Sequence, residues 1–359
     1  MLETLSALLI DIQNDHKKTP PEVRINALQK FNECVNSTDF KEIEPNIVQN
    51  YLPSLLKRLN DKPNVISEAD MVLSNIIKKL SIQSLPLFLE VISPELQIDS
   101  KWKCKYGSLK LISLFLNRVF DLDRDLLSAC LPELVSSISD CVHDLKPEVS
   151  TEARTVLLQA MKGITNRDLE PFAEDLVETL IERDRTEETI QKLGGVVFVQ
   201  TVEGSALSVV VPLLMAGFRQ HKTAIKRMCS RIVSNMAKLV EDPLEAEPFL
   251  NELIPSLKNA AEIIPDPEAR DVAYKTLESL NKMKSAATPK PFRNRNIIEK
   301  FILEFLKLES INENVRYLAT ITSALIRTKT VDKDEYTAEL SPYCNNTELI
   351  EGLFSEHKK

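Results

Sequence analysis

Glycine is scarce, with seven in 359 residues, well below ordinary usage. That argues against β-rich folds with their tight turns and against glycine-lined cofactor loops. No glycine is followed by lysine, so the phosphate loop GxxxxGK[S/T] is absent. The nearest suspect, Leu193-Gly194-Gly195, lacks the serine before its glycines and the polar residue after them that an ATP-cassette signature needs. Close helix packing is the expected use of Gly194 and Gly195. The four histidines, His16, His143, His221 and His357, stand far apart and form no HxxxH or His-Cys ligand spacing. The six cysteines, Cys34, Cys104, Cys130, Cys141, Cys229 and Cys344, include no CxxC pair. Each falls among helical core positions, where cysteine acts as a small hydrophobe. No GxSxG or Cys-His arrangement marks a nucleophile. No apolar run reaches the length of a membrane span, and the amphipathic N-terminus, with Glu3, Asp11 and Asp15, lacks the basic n-region of a secretory signal. The expectation is a cytoplasmic, non-enzymatic chain with no cofactor, small-molecule substrate or membrane partner of its own.

What is present is a repeat. Tyr51-Leu-Pro-Ser-Leu-Leu, Ile92-Ser-Pro-Glu-Leu, Leu131-Pro-Glu-Leu-Val, Val211-Pro-Leu-Leu and Ile254-Pro-Ser-Leu share an apolar residue, a proline and leucines at helical spacing. Their prolines, Pro53, Pro94, Pro132, Pro212 and Pro255, are separated by 41, 38, 80 and 43 residues. The gap of 80 is two periods, with Phe172-Ala-Glu-Asp-Leu-Val in the vacant slot. That period belongs to HEAT or armadillo repeats. Each proline is expected early in a first helix. Second amphipathic helices follow, as at Val149 to Met161, Ala224 to Leu239 and Pro267 to Met283, with apolar residues at i, i+3, i+4 and i+7. One pair cannot bury its own apolar faces, so pairs must stack into a solenoid. The reading is an all-α HEAT-repeat α-solenoid of about six to seven helix pairs over residues 1–284, monomeric, with large binding surfaces.

From Lys282 onward the character changes. Lys282, Lys284, Lys290, Arg293 and Arg295 occur with no acidic residue among them, and Pro289 and Pro291 stop any helix. Residues 285–295 read as a basic linker. Helical patterns over Asn296 to Leu308, Asn312 to Thr328, Lys333 to Leu340 and Thr347 to Glu356 then suit a four-helix bundle over 296–359.

A net charge of −8 excludes a uniformly basic nucleic-acid coat but leaves room for local basic stripes. Such clusters stand at the starts of second helices: Lys101, Lys103 and Lys105 around Trp102, then Lys226, Arg227 and Arg231, then Arg270. Equivalent positions of successive repeats share one side, so these residues suit a phosphate backbone, with Trp102 available for stacking. They equally suit solvated helix faces, with Trp102 in the core and Arg270 paired to an acid.

Thr223-Ala-Ile-Lys-Arg-Met-Cys-Ser-Arg-Ile-Val-Ser-Asn-Met-Ala-Lys-Leu-Val-Glu-Asp-Pro243, with Glu247-Pro-Phe-Leu250 and Asp266-Pro-Glu-Ala-Arg270, resembles the N-terminal region of the translation elongation factor 3 family. Leu207-Ser-Val-Val-Val-Pro-Leu-Leu214, Asn166-Arg-Asp-Leu-Glu170 and Lys101-Trp102 follow the family's order, and Val331-Asp-Lys-Asp-Glu-Tyr336 and Leu340-Ser-Pro-Tyr343 resemble its four-helix bundle. The resemblance implies a ribosome-bound factor. In that family the HEAT array docks on ribosomal RNA and ribosomal proteins, and ATP-binding cassettes further along the chain drive release of deacylated tRNA from the exit site. ATP is thus implied for the full-length family protein and not for these residues. Lys226, Arg227 and Arg231 become the favoured RNA contacts, with Lys101, Lys103, Lys105, Arg270 and the linker's Lys290, Arg293 and Arg295 beside them. A different reading is a HEAT protein-protein scaffold, like the related segment of a ribosome-associated kinase activator.

Overall fold

A computed structural model describes residues 2–14, 20–37 and 40–287. Of the expected linker, residues 285–287 are described, and Ser285 and Ala286 still belong to the helix Pro267–Ala286; its remainder, with Lys290, Arg293 and Arg295, and the bundle lie outside the described residues. Helices account for the ordered elements, and no strand occurs among the described residues. They pair into seven repeats: Leu2–Gln13 with Pro21–Ser37, 40–60 with Pro63–Lys79, 82–96 with Trp102–Leu122, 124–143 with Pro147–Met161, 170–181 with Thr186–Gly194, Gly204–Arg219 with Thr223–Ala237, and Pro243–Ile263 with Pro267–Ala286. They are numbered repeats 1 to 7 below. This is the HEAT-repeat class of α-solenoid, two helices to a repeat.

Of the five recurring prolines, Pro53 and Pro132 stand at the second position of an α-helix, as expected, and the other three do not. Pro212 and Pro255 lie inside their helices. Pro53 follows a π-helical turn over Ile47–Tyr51, and Pro94 lies in the 3-10 turn that ends the first helix of repeat 3. Pro21, Pro63, Pro147 and Pro267 begin second helices, and Pro243 begins the first helix of repeat 7. A proline in a helix interior removes one backbone hydrogen bond and crowds the carbonyl four residues back. The first helices of repeats 2 to 5 run as short pieces, as around Cys130 before Leu131–Ile138, whereas Gly204–Arg219 and Pro243–Ile263 run unbroken through Pro212 and Pro255.

The described residues form two compact units, one reaching Arg118 and the other beginning at Val119. In the first unit the second helices of repeats 1 and 2 pack side by side, joined by an Asn75 to Asn32 hydrogen bond of 2.7 Å. Phe31, Phe88 and Phe115 are among its largest fully buried side chains. The Phe88 and Phe115 rings meet edge-on at 5.2 Å, a contact that binds repeat 3 together. A β-carbon on Gly107 would stand 2.6 Å from a Leu59 methyl, so any larger residue here would have to displace that side chain.

In the second unit the first helices of repeats 4 and 5 both pack on that of repeat 6, which packs on that of repeat 7. The second helices of repeats 5, 6 and 7 stack in the same sequence. Gly217 is the close approach here, since a β-carbon would stand 2.5 Å from Cys229 Sγ and nearer still to Ile190. Gly194, by contrast, ends a helix, and its nearest such neighbour is 3.5 Å away. The expected packing role therefore belongs to Gly107 and Gly217. Cys104, Cys130, Cys141 and Cys229 are buried. Burial pushes the Cys104 thiol up to about 11 and Cys229 up to about 12, so both stay protonated and inert at neutral pH.

Candidate nucleic-acid interface

A repeat-spaced capping device sorts the basic residues. A helix ends with carbonyls that lack partners and carry partial negative charge, so a cation from elsewhere can satisfy them. Lys79 donates to the Val35 carbonyl at 3.0 Å, closing the second helix of repeat 1. Arg118 donates to the Ile77 and Leu80 carbonyls, closing that of repeat 2. Arg231 donates to the Gly194 carbonyl at 2.6 Å, closing that of repeat 5. Within repeat 4, Arg124 donates to the Lys162 and Ile164 carbonyls. Arg231, read from the sequence as a phosphate contact, thus holds two repeats together.

The other candidates separate by exposure. Lys105 and Lys226 are 6% and 8% exposed, which corrects their place on an exposed stripe. Lys105 lies one helical turn from the buried Ser108 and Leu109, and its ammonium donates to the Ile98 carbonyl at 3.2 Å. Lys226 stands between buried Ile225 and Cys229, on the margin of the core. Arg227 is exposed but pairs with Asp266 at 2.8 Å. Arg270 is half-buried and, among the described residues, makes no ion pair, contrary to the pairing considered for it. Lys101 is exposed and Lys103 half-buried, and both are without ion pairs among the described residues. Trp102 stands 37% exposed between them.

Sequence reasoning missed a further row. A basic residue immediately precedes five of the seven second helices: Lys62, Lys101, Lys146, Arg185 and Lys222. This is a poor choice for the helix, because a cation faces the positive end of the dipole and offers no acceptor to the free N–H groups. In repeats 5 and 6 acids offset it: Arg185 pairs with Asp175, Glu178 and Glu188, and Lys222 with Glu187 at 2.7 Å. Lys192 adds bonds to Asp175 and Glu188, which raise its pKa. Lys62 and Lys101 have no such acid among the described residues.

Segment charge would have exposed the contrast. Residues 57–120 hold ten Lys and Arg against six Asp and Glu, whereas residues 121–200 hold eight against seventeen. The second segment alone has an excess of nine acids, in a chain whose net charge is −8.

Two contacts bring the unpaired lysines of repeats 2 and 3 together. Cys104 Sγ lies 3.7 Å from the Leu56 carbonyl, and Gly107 packs on Leu59. The start of Trp102–Leu122, with Lys101 and Lys103, therefore adjoins the end of the first helix of repeat 2, where Lys57 is exposed. Lys62 follows within one turn. Beneath them Asp61 is clamped by Arg24 and Arg58, each at 2.9 Å, so the acid of this turn is already engaged.

Among the described residues no group of side chains has the makings of a metal site, and no helix is long and apolar enough to cross a membrane. The model described as the EF3 N-terminal HEAT repeat matches residues 2–157, and the Elongation factor 3/GNC1 HEAT repeat matches residues 184–290. The chain carries the N-terminal HEAT region of the elongation factor 3 family. Elongation factor 3B of Saccharomyces cerevisiae is 30% identical over 334 residues, covering 89% of this chain and 31% of that protein. Elongation factor 3 of Pneumocystis carinii is 29% identical over 352 residues, covering 95% of this chain and 33% of that protein. This elongation factor 3-family region thus spans about a third of the length of those relatives, and its matching models are HEAT-repeat models.

Proposed function

We propose that these repeats are a ribosome-docking module that binds ribosomal RNA and ribosomal proteins in the cytoplasm as a monomer. In the full family protein, ATP-driven cassettes would then promote tRNA release from the exit site. The observation that supports the reading is the set of exposed, unpaired lysines in repeats 2 and 3 of a translation-factor-related HEAT region. A protein that neutralises phosphates releases counterions, so docking should weaken steeply with salt. Sedimentation of the chain with purified ribosomes across a salt series tests this. Co-sedimentation that falls with rising salt is expected, and a chain that stays in the supernatant at low salt contradicts it.

The acidic repeats support a second reading. Seventeen acids over residues 121–200 repel phosphate and suit a basic protein segment. On that reading repeats 4 and 5 act as a protein scaffold. Cross-linking from Glu174 or Asp184 on the ribosome would separate the two: links to protein support the scaffold, and links to RNA oppose it.

A further inference from the structure

We propose that the turn edge of repeats 2 and 3 binds a single-stranded stretch of RNA, its phosphates held by Lys57, Lys62, Lys101 and Lys103 and one base stacked on Trp102. The proposal rests on the ribosome-docking reading and gives that reading a site and a ligand class.

Four cations are available on this edge because no carboxylate among the described residues pairs with them. Lys57, Lys62 and Lys101 are exposed, Lys103 is half-buried, and none has an ion pair among the described residues. In repeats 5 and 6 the residues equivalent to Lys62 and Lys101 are tied to carboxylates. A phosphate at that second edge would have to displace a carboxylate, and at the first it meets bare ammonium groups.

Trp102 selects among polyanions. It begins its helix, flanked in the sequence by Lys101 and Lys103, and is 37% exposed. An indole face stacks on a base of any sequence, but only when the base is unpaired. A duplex presents phosphates alone to this edge. An acidic peptide offers carboxylates to the lysines but leaves the indole without a flat partner. Lysines spaced along a groove with an aromatic platform among them are the arrangement that tracks a single strand.

The chain reports on this site unaided, because Trp102 is its one tryptophan. Titrating the full chain at low salt with a short oligouridine should quench Trp102 emission in a saturable, salt-dependent way. A duplex RNA of the same length should quench little. Lys101→Glu with Lys103→Glu should abolish the quenching, and Lys62→Ala should lower the slope of log affinity on log salt by about 0.7, the single-strand value per phosphate. For labelled oligouridine followed by anisotropy, Trp102→Leu should weaken binding about tenfold and Trp102→Phe much less, as expected when one stacked base is lost or kept.

The proposal is overturned if oligouridine leaves the emission unchanged, or if the double charge reversal binds RNA like the original chain. Equal quenching by duplex also overturns it. Ribosome sedimentation of the same samples keeps the outcomes apart. A chain that pellets with ribosomes but fails the oligouridine titration retains the docking reading and loses this site. A chain that fails to pellet loses the docking reading itself.

Discussion

Repeats 2 and 3 leave the basic residues of their turns bare, whereas repeats 5 and 6 close theirs with acids. Lys62 and Lys101 occupy the position before a second helix just as Arg185 and Lys222 do, yet among the described residues only the latter two of these four meet carboxylates. One repeat architecture therefore carries two kinds of edge. The same residue type at the same repeat position is a solvent-facing cation in one unit and an ion-pair partner in the other. Position within a repeat says where a side chain stands, and the neighbouring repeat decides whether it is free.

The comparison of two units can be broken first through their cores. Phe115→Ala removes a fully buried ring that meets Phe88 and should cost about 3–5 kcal/mol. By hydrogen exchange, protection should fall in the helices up to Arg118 and persist in Gly204–Arg219, because each repeat leans on its neighbours. Uniform loss across the chain would mean the units are not separate in stability. Gly217→Ala is the reciprocal change, pressing a methyl against Ile190 and Cys229 at about 1–3 kcal/mol. It should loosen repeats 5 and 6 and leave Pro63–Lys79 protected.

A smaller effect sharpens the contrast between the edges. Arg231→Ala uncaps the repeat 5 helix and should lower stability by about 1 kcal/mol in a urea titration. Lys101→Ala should change it by less than about 0.5 kcal/mol. Equal losses would show that Lys101 too is structural.

The smallest effect is a pH dependence confined to the second unit. Burial raises the Glu245 carboxyl above its ordinary 4.5, and the Gly204 N–H donated to it at 2.8 Å only partly opposes the shift. A raised folded-state value means the folded chain holds the proton more tightly than the unfolded one. Its stabilising effect is complete below 4.5 and is lost as pH rises through the raised value. Glu245→Gln should therefore flatten the fall in stability from mild acid to neutral pH, measured as urea midpoints across that range.

Much of the fold was legible in the residues. A period near forty, polar turns and amphipathic second helices lead to stacked pairs without further information, and the buried cysteines follow from helical spacing. Proline was half informative: Pro53 and Pro132 mark helix starts as expected, Pro212 and Pro255 lie inside unbroken first helices, and the second helices begin at a different set, Pro21, Pro63, Pro147 and Pro267. The site was only half legible. Lys101, Lys103 and Trp102 stand out as a cluster, but the burial of Lys105 and Lys226 depends on helix phase, which a charge cluster read by proximity in sequence ignores. The bond of Arg231 to Gly194 spans 37 residues and has no local trace. Lys57 and Lys62 stand 39 or more residues before Lys101 in the sequence, and only the packing of Cys104 and Gly107 on repeat 2 brings their segment beside it.

The central claim is that docking runs through the bare edge and not through the paired one. Two variants decide it when sedimented with ribosomes across a salt series: Lys62→Glu, Lys101→Glu, Lys103→Glu in the first unit, and Lys222→Glu, Arg227→Glu in the second. The account predicts that the first loses most binding and lowers the salt slope by about two to three units, near the 0.7–0.9 expected per phosphate contact. The second should keep the slope of the original chain. A second-unit variant that loses binding while the first-unit variant keeps it would contradict the account.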